Sequence, residues 1–261
     1  MPLATDQTGR TVHVPDLPRR IISLVPSQTE LLYTLGLDTA VCGITKFCVH
    51  PEHWFRTKPR VGGTKNLQLD TIRSLQPDLI IANKEENQQE QIEALAAEFP
   101  VWVSDPKDLP SALDMIHSIG HLTGKSPEAA ALIAAIQQAF AGITLPRIPH
   151  KTVYLIWQDP LMTVGGDTFI HAMLESCGLK NLFAASPRYP QLTLEQLQEL
   201  QPELLLLSSE PYPFKHPHLQ YFREALPHCR VLLADGEYFS WYGSRMQDAP
   251  AYFRELLGQM L

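Results

Sequence analysis

The stretch LDTIRSLQPDLIIA (residues 69–82) recurs 125 residues later as LEQLQELQPELLLL (residues 194–207). In each copy a large apolar residue recurs at every third position, which predicts a short helix that ends before Pro77 or Pro202. The continuous apolar run after each proline is typical of a parallel strand covered on both faces. This repeated helix and strand therefore predict two similar α/β lobes.

Further strand and helix patterns alternate around each copy of the repeat. The predicted strands are 20–25, 40–45 and 100–104 in the first half and 152–157, 180–184 and 229–234 in the second, and the predicted helices are 27–37, 88–99 and 167–179. Between the halves, the alanine-rich stretch 126–143 follows a capping Ser126 and predicts a long helix.

The predicted fold class is therefore α/β, with two α/β lobes that have mostly parallel central sheets and are joined by one long backbone helix. We expect an N-terminal lobe over residues 1–125, the connecting helix over 126–145 and a C-terminal lobe over 146–261.

Composition excludes several classes of function. The formal net charge is −7 and the Lys and Arg residues are scattered, so we expect no nucleic-acid surface. No apolar run approaches the roughly 18–20 residues that span a bilayer. The chain as given shows no basic segment followed by an apolar one, so we expect no export signal in it. The four cysteines have no CxxC spacing, which fits a reducing compartment. We also expect the protein to be a monomer.

The loops after the predicted strands are the expected ligand-binding region, because ligands of open parallel sheets bind beyond the carboxyl ends of the strands. Two lobes that face each other would make a cleft lined by these loops. They mix aromatic, charged, glycine and proline residues, a composition typical of a site for a large, partly apolar ligand. They cover residues 26–30, 46–54, 61–66, 83–87, 158–167, 208–214 and 235–245.

From these loops we select ligand-binding candidates: Lys46, Cys48, His50, Lys65, Asn83, Glu85, Trp157, Glu210, Tyr212, Trp241, Tyr242 and Arg245. The spacing of Cys48 and His50 also allows a metal site or an axial ligand to a chelated metal. It allows a nucleophile with its base, and it equally allows two unliganded side chains. Glu85 falls opposite Glu210 when the two copies of the repeat are aligned.

Two further pairs of residues have structural interpretations. Ser27 and Glu30 have the spacing of a helix-capping box, which we favour over ligand contact. Asp70 and Glu195 fall in the first turn of the two repeat helices, where the helix dipole stabilises a carboxylate. One acid on each lobe would also provide a symmetric pair of docking points.

The chain resembles a known family over essentially its whole length, and two stretches carry the resemblance most clearly. The opening TDQTGRTVHVPDLPRRIISLVPSQTELLYTLGL (5–37) and the stretch LDTIRSLQPDLIIA are similar to helical-backbone (class III) substrate-binding proteins of ABC importers for cobalamin, haem and iron–siderophore complexes. The cobalamin-binding branch is the most similar. The resemblance implies two α/β lobes joined by a rigid helix, with the ligand held between them. It also implies that Asp70 and Glu195 dock onto arginines of the membrane permease.

The sequence and the resemblance together predict a non-enzymatic binding protein with no cofactor of its own. Its expected ligand is a cobalt corrinoid or an iron chelate, on which the aromatic candidates would pack. Lys46, Lys65 and Arg245 would meet phosphate or carboxamide groups, and His50 or Cys48 would reach the metal. A cytoplasmic enzyme or sensor on the same fold is the alternative, as is binding of haem or an iron–siderophore. The resemblance implies a periplasmic or cell-surface location, whereas a chain complete as given would be cytoplasmic.

Overall fold

The computed structural model describes residues 3–143 and 150–259. The chain divides into two compact units, which we call the N-terminal unit and the C-terminal unit. The N-terminal unit contains the residues up to Pro106, then Pro110–Ile136 and Tyr242–Arg245. The C-terminal unit contains Lys107–Leu109, Gln137–Trp241 and the residues from Met246 onward.

The N-terminal unit is built on a four-stranded sheet. The strands of the first half of the chain are β1 (Leu3–Thr5), β2 (Thr11–His13), β3 (Ile21–Ser23), β4 (Val41–Ile44), β5 (Gly62–Gly63), β6 (Asn66–Leu67), β7 (Leu79–Asn83) and β8 (Val101–Ser104). The central sheet has the order β4-β3-β7-β8 and all its pairs are parallel. Strands β1 and β2, and likewise β5 and β6, form small antiparallel pairs.

Helices accompany these strands. They are α1 (Pro26–Thr34), α2 (Glu52–Thr57), α3 (Leu69–Leu75), α4 (Gln89–Ala96), α5 (Leu109–Leu122) and α6 (Ser126–Ala141). All five residues of β7 are buried, as expected for a strand covered on both faces. Ile80 and Ala82 of this strand join a core with Ile22, Ile72 and Leu95 from β3, α3 and α4.

The C-terminal unit repeats this plan. Its strands are β9 (Lys151–Leu155), β10 (Trp157–Gln158), β11 (Leu161–Met162), β12 (Lys180–Asn181), β13 (Gln191–Leu192), β14 (Leu204–Ser208) and β15 (Arg230–Ala234), and its helices are α7 (Phe169–Ser176), α8 (Leu194–Leu200), α9 (His216–Ala225), α10 (Glu237–Ser240) and α11 (Ala249–Gly258). The central sheet has the parallel order β12-β9-β14-β15, and β10, β11 and β13 form a small antiparallel sheet.

The repeated stretch occupies the same place in both sheets. Strand β7 lies between β3 and β8, and β14 lies between β9 and β15. Each repeat helix ends on a glutamine in the left-handed conformation, Gln76 at φ 45° and Gln201 at φ 46°, directly before the proline. The helix stop is thus a left-handed glutamine together with a proline, not the proline alone.

The predicted α/β class with parallel central sheets is confirmed. Some local predictions were wrong: the strand expected over 180–184 shrinks to Lys180–Asn181, and the loop expected over 235–245 contains α10. The loops expected over 46–54, 61–66 and 158–167 likewise contain parts of α2, of β5 and β6, and of β10 and β11. Residues 144 and 145 of the predicted connecting helix lie outside the described residues. In the described part of the chain, no helix combines the length and apolar character needed to cross a membrane.

Candidate functional site

The loop after β7 is held in place by the buried Asn83 side chain. Its Nδ2 donates to the backbone oxygen and to Oγ of Ser104, at 3.1 and 3.0 Å. Its Oδ1 accepts hydrogen bonds from the backbone N–H groups of Glu85 and Glu86, at 2.9 and 3.0 Å. The side chain that we predicted to contact ligand is therefore engaged by the protein, and it orients the two acids that follow it.

Glu85, Glu86 and Lys65 form a charged group at this carboxyl edge. Lys65 Nζ donates to the backbone oxygen of Glu85, so the structure brings these two predicted residues together. Desolvation raises the pKa of Glu86 and the Glu85 carboxylate raises it further, whereas the Lys65 ammonium acts in the opposite direction.

In the loop after β4, side chains alternate between the interior and the surface. Cys48 is fully buried, and its Sγ lies 3.0 Å from Thr29 Oγ1 and 3.1 Å from Thr45 Oγ1. Phe47 and Val49, on either side, are 52% and 40% exposed. The buried position of Cys48 therefore gives no support to its predicted contact with ligand or metal, which stays a prediction. Sequence reasoning missed Phe47 and Val49, for which the alternation within the loop was the available signal.

Burial also argues against Cys48 as a nucleophile, because desolvation raises the pKa of its thiol. We expect iodoacetamide to leave Cys48 unlabelled in the folded protein and to label it readily in urea. Peptide mass spectrometry would measure both. The half-buried Cys42 serves as the matched control and should label faster than Cys48. Labelling of Cys48 ahead of Cys42 in the folded protein would contradict this assignment.

His50 is partly buried, two residues beyond Cys48 in the loop. Earlier in the same loop, the exposed Lys46 Nζ lies 5.1 Å from the centroid of the Phe47 ring. Within residues 3–143 and 150–259, no group of three or more His, Cys, Asp or Glu side chains is placed to hold a metal ion. A metal bound by the protein alone is therefore not supported in this part of the chain. A single axial contact from His50 to a chelated metal stays a prediction.

In the C-terminal unit, the structure brings together two predicted aromatic residues. The rings of Trp157 and Tyr212 meet edge to face with their centroids 5.6 Å apart. Trp157 is 40% exposed, whereas Tyr212 is partly buried against Phe214 at 4.7 Å between ring centroids. These rings follow β9 and β14, so they form an aromatic surface at the carboxyl edge of the sheet.

Glu210 and Trp241, both predicted to contact the ligand, form a hydrogen bond with each other. Trp241 Nε1 donates to Glu210 Oε1 at 3.0 Å, and Ser240 Oγ donates to the same oxygen at 2.5 Å. Trp241 is buried rather than displayed on a loop. Glu210 therefore anchors the end of α10, and the predicted ligand contact of Trp241 stays a prediction that its burial does not support.

Tyr242 and Arg245 belong to the N-terminal unit. Tyr242 is buried, so its predicted ligand contact stays a prediction without support from its position. The Arg245 guanidinium donates to both carboxylate oxygens of Glu30, at 3.1 and 2.7 Å. Helix α1 begins at Pro26 after Val25 with no side-chain cap, so Ser27 lies inside the helix and the predicted capping box is wrong. The Arg245 guanidinium is engaged by Glu30.

The two predicted docking acids differ in their surroundings. Asp70 lies in the first turn of α3 with its side chain 99% exposed, and Arg73 Nη1 contacts its Oδ1 at 2.9 Å. Arg73 also binds Glu98 at 2.8 Å. Glu195 lies in the first turn of α8, where a hydrogen bond from its own backbone N–H and one from Thr193 lower its pKa. Both acids are therefore exposed in the first turn of a helix. Beside Asp70, Arg73 would compete with any cationic side chain of a partner.

Residues 21–224 match the periplasmic binding protein family, and the chain belongs to this family. Members of the family bind substrates and are not enzymes. The vitamin B12-binding protein of Photorhabdus laumondii subsp. laumondii is 28% identical over 214 residues, which are 78% of each chain.

Two solved structures share the fold. The periplasmic vitamin B12 binding protein of Vibrio cholerae has a TM-score of 0.75 and 22% identity, covering 93% of this chain and 99% of its own. The Fe3+-hydroxamate transport protein of Saccharomonospora viridis has a TM-score of 0.76 and 21% identity, covering 98% of both chains. At 22% and 21% identity, these two structures show that the chain shares their fold.

Proposed function

We propose that this protein is the substrate-binding component of an ABC-type importer and that it holds a metal-chelate cofactor, with a corrinoid as the first candidate. The observation that carries the proposal is the exposure of Phe47, Val49 and Trp157 shortly after strands β4 and β9 of the central sheets. Single exposed apolar side chains are common on proteins, but these three follow strand ends, where open parallel sheets bind their ligands. A macrocycle offers a broad apolar face that such side chains would cover.

Polar groups beside these side chains suit the periphery of such a ligand. Lys46 and Lys65 are exposed cations in the N-terminal unit, next to Phe47 and Glu85 respectively. They would meet phosphate or carboxamide oxygens, whereas the paired Arg245 contributes less than we expected. The names of two relatives, a vitamin B12-binding protein and an Fe3+-hydroxamate transport protein, support a metal chelate as the ligand class.

The permease would be the macromolecular partner. In this proposal Asp70 and Glu195 contact cationic side chains of the permease from the first turns of α3 and α8. The protein would then act on the outer side of the membrane, as the periplasmic binding protein family does.

The decisive experiment is titration of the purified protein with cyanocobalamin, cobinamide, haemin and ferrichrome, followed by absorbance and calorimetry. We expect a dissociation constant of about 1 μM or tighter for a corrinoid, equivalent to about −8 kcal/mol. Metal-free desferrichrome is the control and should bind more weakly than ferrichrome. Tight binding of haemin or ferrichrome alone would replace the corrinoid but keep the ligand class. No binding tighter than about 1 mM for any of them would overturn the proposal.

A further inference from the structure

His218, in the first turn of α9, is held in one tautomer. The backbone N–H of Lys215 donates to His218 Nδ1 at 2.9 Å. A ring nitrogen that accepts a hydrogen bond carries no proton, so the neutral imidazole must carry its proton on Nε2. The helix start thus fixes which ring nitrogen is the donor.

That donor is directed at Tyr212. His218 Nε2 lies 3.2 Å from Tyr212 Oη, and the two rings meet edge to face with centroids 5.5 Å apart. Since Nε2 carries the proton, the imidazole donates and the phenol oxygen accepts. The phenol's own hydrogen must then point away from His218, and no other side chain or backbone group of the described residues bonds to this oxygen.

Neighbouring groups restrict movement of the Tyr212 ring away from His218. Its backbone N–H donates to the oxygen of Ile156 at 3.2 Å, which ties the loop after β14 to the end of β9. Phe214 and Trp157 contact the ring at 4.7 and 5.6 Å between centroids. The Tyr212 ring is therefore held by Phe214, Trp157 and its backbone, and its hydroxyl lies at His218 Nε2.

We propose that His218 positions Tyr212 as a hydrogen-bond donor to the bound ligand, which must then present an acceptor oxygen at this point. Amide carbonyl, carboxylate and phosphate oxygens satisfy the requirement, whereas an ammonium or amide N–H group does not. This inference rests on the proposed function and specifies one chemical feature of its ligand. If His218 served only to start α9, the orientation of the Tyr212 hydroxyl would have no effect on binding.

The tautomer can be tested without any ligand. Long-range proton–nitrogen correlation spectra of protein labelled at histidine distinguish Nε2–H, Nδ1–H and doubly protonated rings at mildly alkaline pH. We expect the Nε2–H pattern for His218, assigned by its absence from His218→Asn. An Nδ1–H or doubly protonated ring would overturn the proposal.

The donor role is tested with cyanocobalamin as the probe. Tyr212→Phe should weaken binding about fivefold, the usual loss for one hydrogen bond. His218→Asn keeps an acceptor for the Lys215 N–H but cannot reach Tyr212, so it should weaken binding with little change in stability. The double variant should lose no more than Tyr212→Phe alone, because both remove one interaction.

Tyr221→Phe and His216→Asn are the matched controls, since Tyr221 and His216 are exposed residues of α9, the helix that carries His218. Wild-type affinity in Tyr212→Phe, or in a folded His218→Asn, would overturn the proposal. A wild-type protein that bound no corrinoid, haemin or ferrichrome would refute the proposed function instead. In that case the nitrogen spectra would decide alone whether His218 sets the direction of the Tyr212 hydroxyl.

Discussion

Replacing Asn83 with alanine is expected to lower the free energy of unfolding by about 3 kcal/mol, because several backbone and side-chain partners lose their bonds in the interior. The amide donates to Ser104 and accepts from the N–H groups of Glu85 and Glu86. Asn83 is 1% exposed, so water cannot replace the lost side chain without further rearrangement. The backbone amides of Glu85 and Glu86 should also exchange with solvent much faster, since their acceptor is gone.

Urea denaturation and amide hydrogen exchange would measure these two effects. Asn66→Ala is the matched control, because Asn66 is an exposed asparagine in the same unit and should change stability by less than about 0.5 kcal/mol. A loss below about 1 kcal/mol in Asn83→Ala, with unchanged exchange at Glu85 and Glu86, would show that the loop does not depend on this side chain.

The sheets were predictable from the sequence because their signals are local. The apolar runs and the Gln-Pro pairs of residues 76–77 and 201–202 specify a helix stop and a buried strand within a few residues. A repeat of these signals then places β7 and β14 at equivalent positions of two sheets. No knowledge of distant contacts is needed for that step.

The direction of each loop side chain was not predictable in the same way. Cys48 was selected for its chemistry, yet it faces Thr29 and Thr45 in the interior while its apolar neighbours face solvent. A free cysteine behaves as a small buried hydrophobe more often than as a reactive group, and that preference decides its position here.

Long-range pairing accounts for the remaining differences. Arg245 pairs with Glu30, 215 residues away along the chain, and this pairing engages a cation that the sequence assigned to the ligand. Trp241 and Glu210 likewise engage each other across 31 residues. No periodicity or motif within either loop signals such partners, so the composition of the loops overstated how many of these groups are available to a ligand.

Phe47→Ala and Trp157→Ala are each expected to weaken binding of the metal-chelate ligand about thirtyfold, or about 2 kcal/mol. The estimate assumes that each side chain buries roughly 80 Å² of apolar surface against the ligand, at about 25 cal/mol per Å². Because both side chains are already half exposed without ligand, neither truncation should lower the stability of the protein by more than about 1 kcal/mol. Binding and stability should therefore separate clearly in these variants.

Calorimetric titration of each variant with the tightest-binding probe would test the expectation, with thermal unfolding as the measure of stability. Tyr221→Ala is the matched control, because Tyr221 is a comparably exposed aromatic residue, 49% accessible, on α9. It should retain wild-type affinity. If Phe47→Ala and Trp157→Ala bind the probe as tightly as Tyr221→Ala does, the exposed apolar side chains at the strand ends are not the ligand surface. The contacts would then have to come from the charged group around Lys65 and Glu86, with an affinity that falls as salt rises.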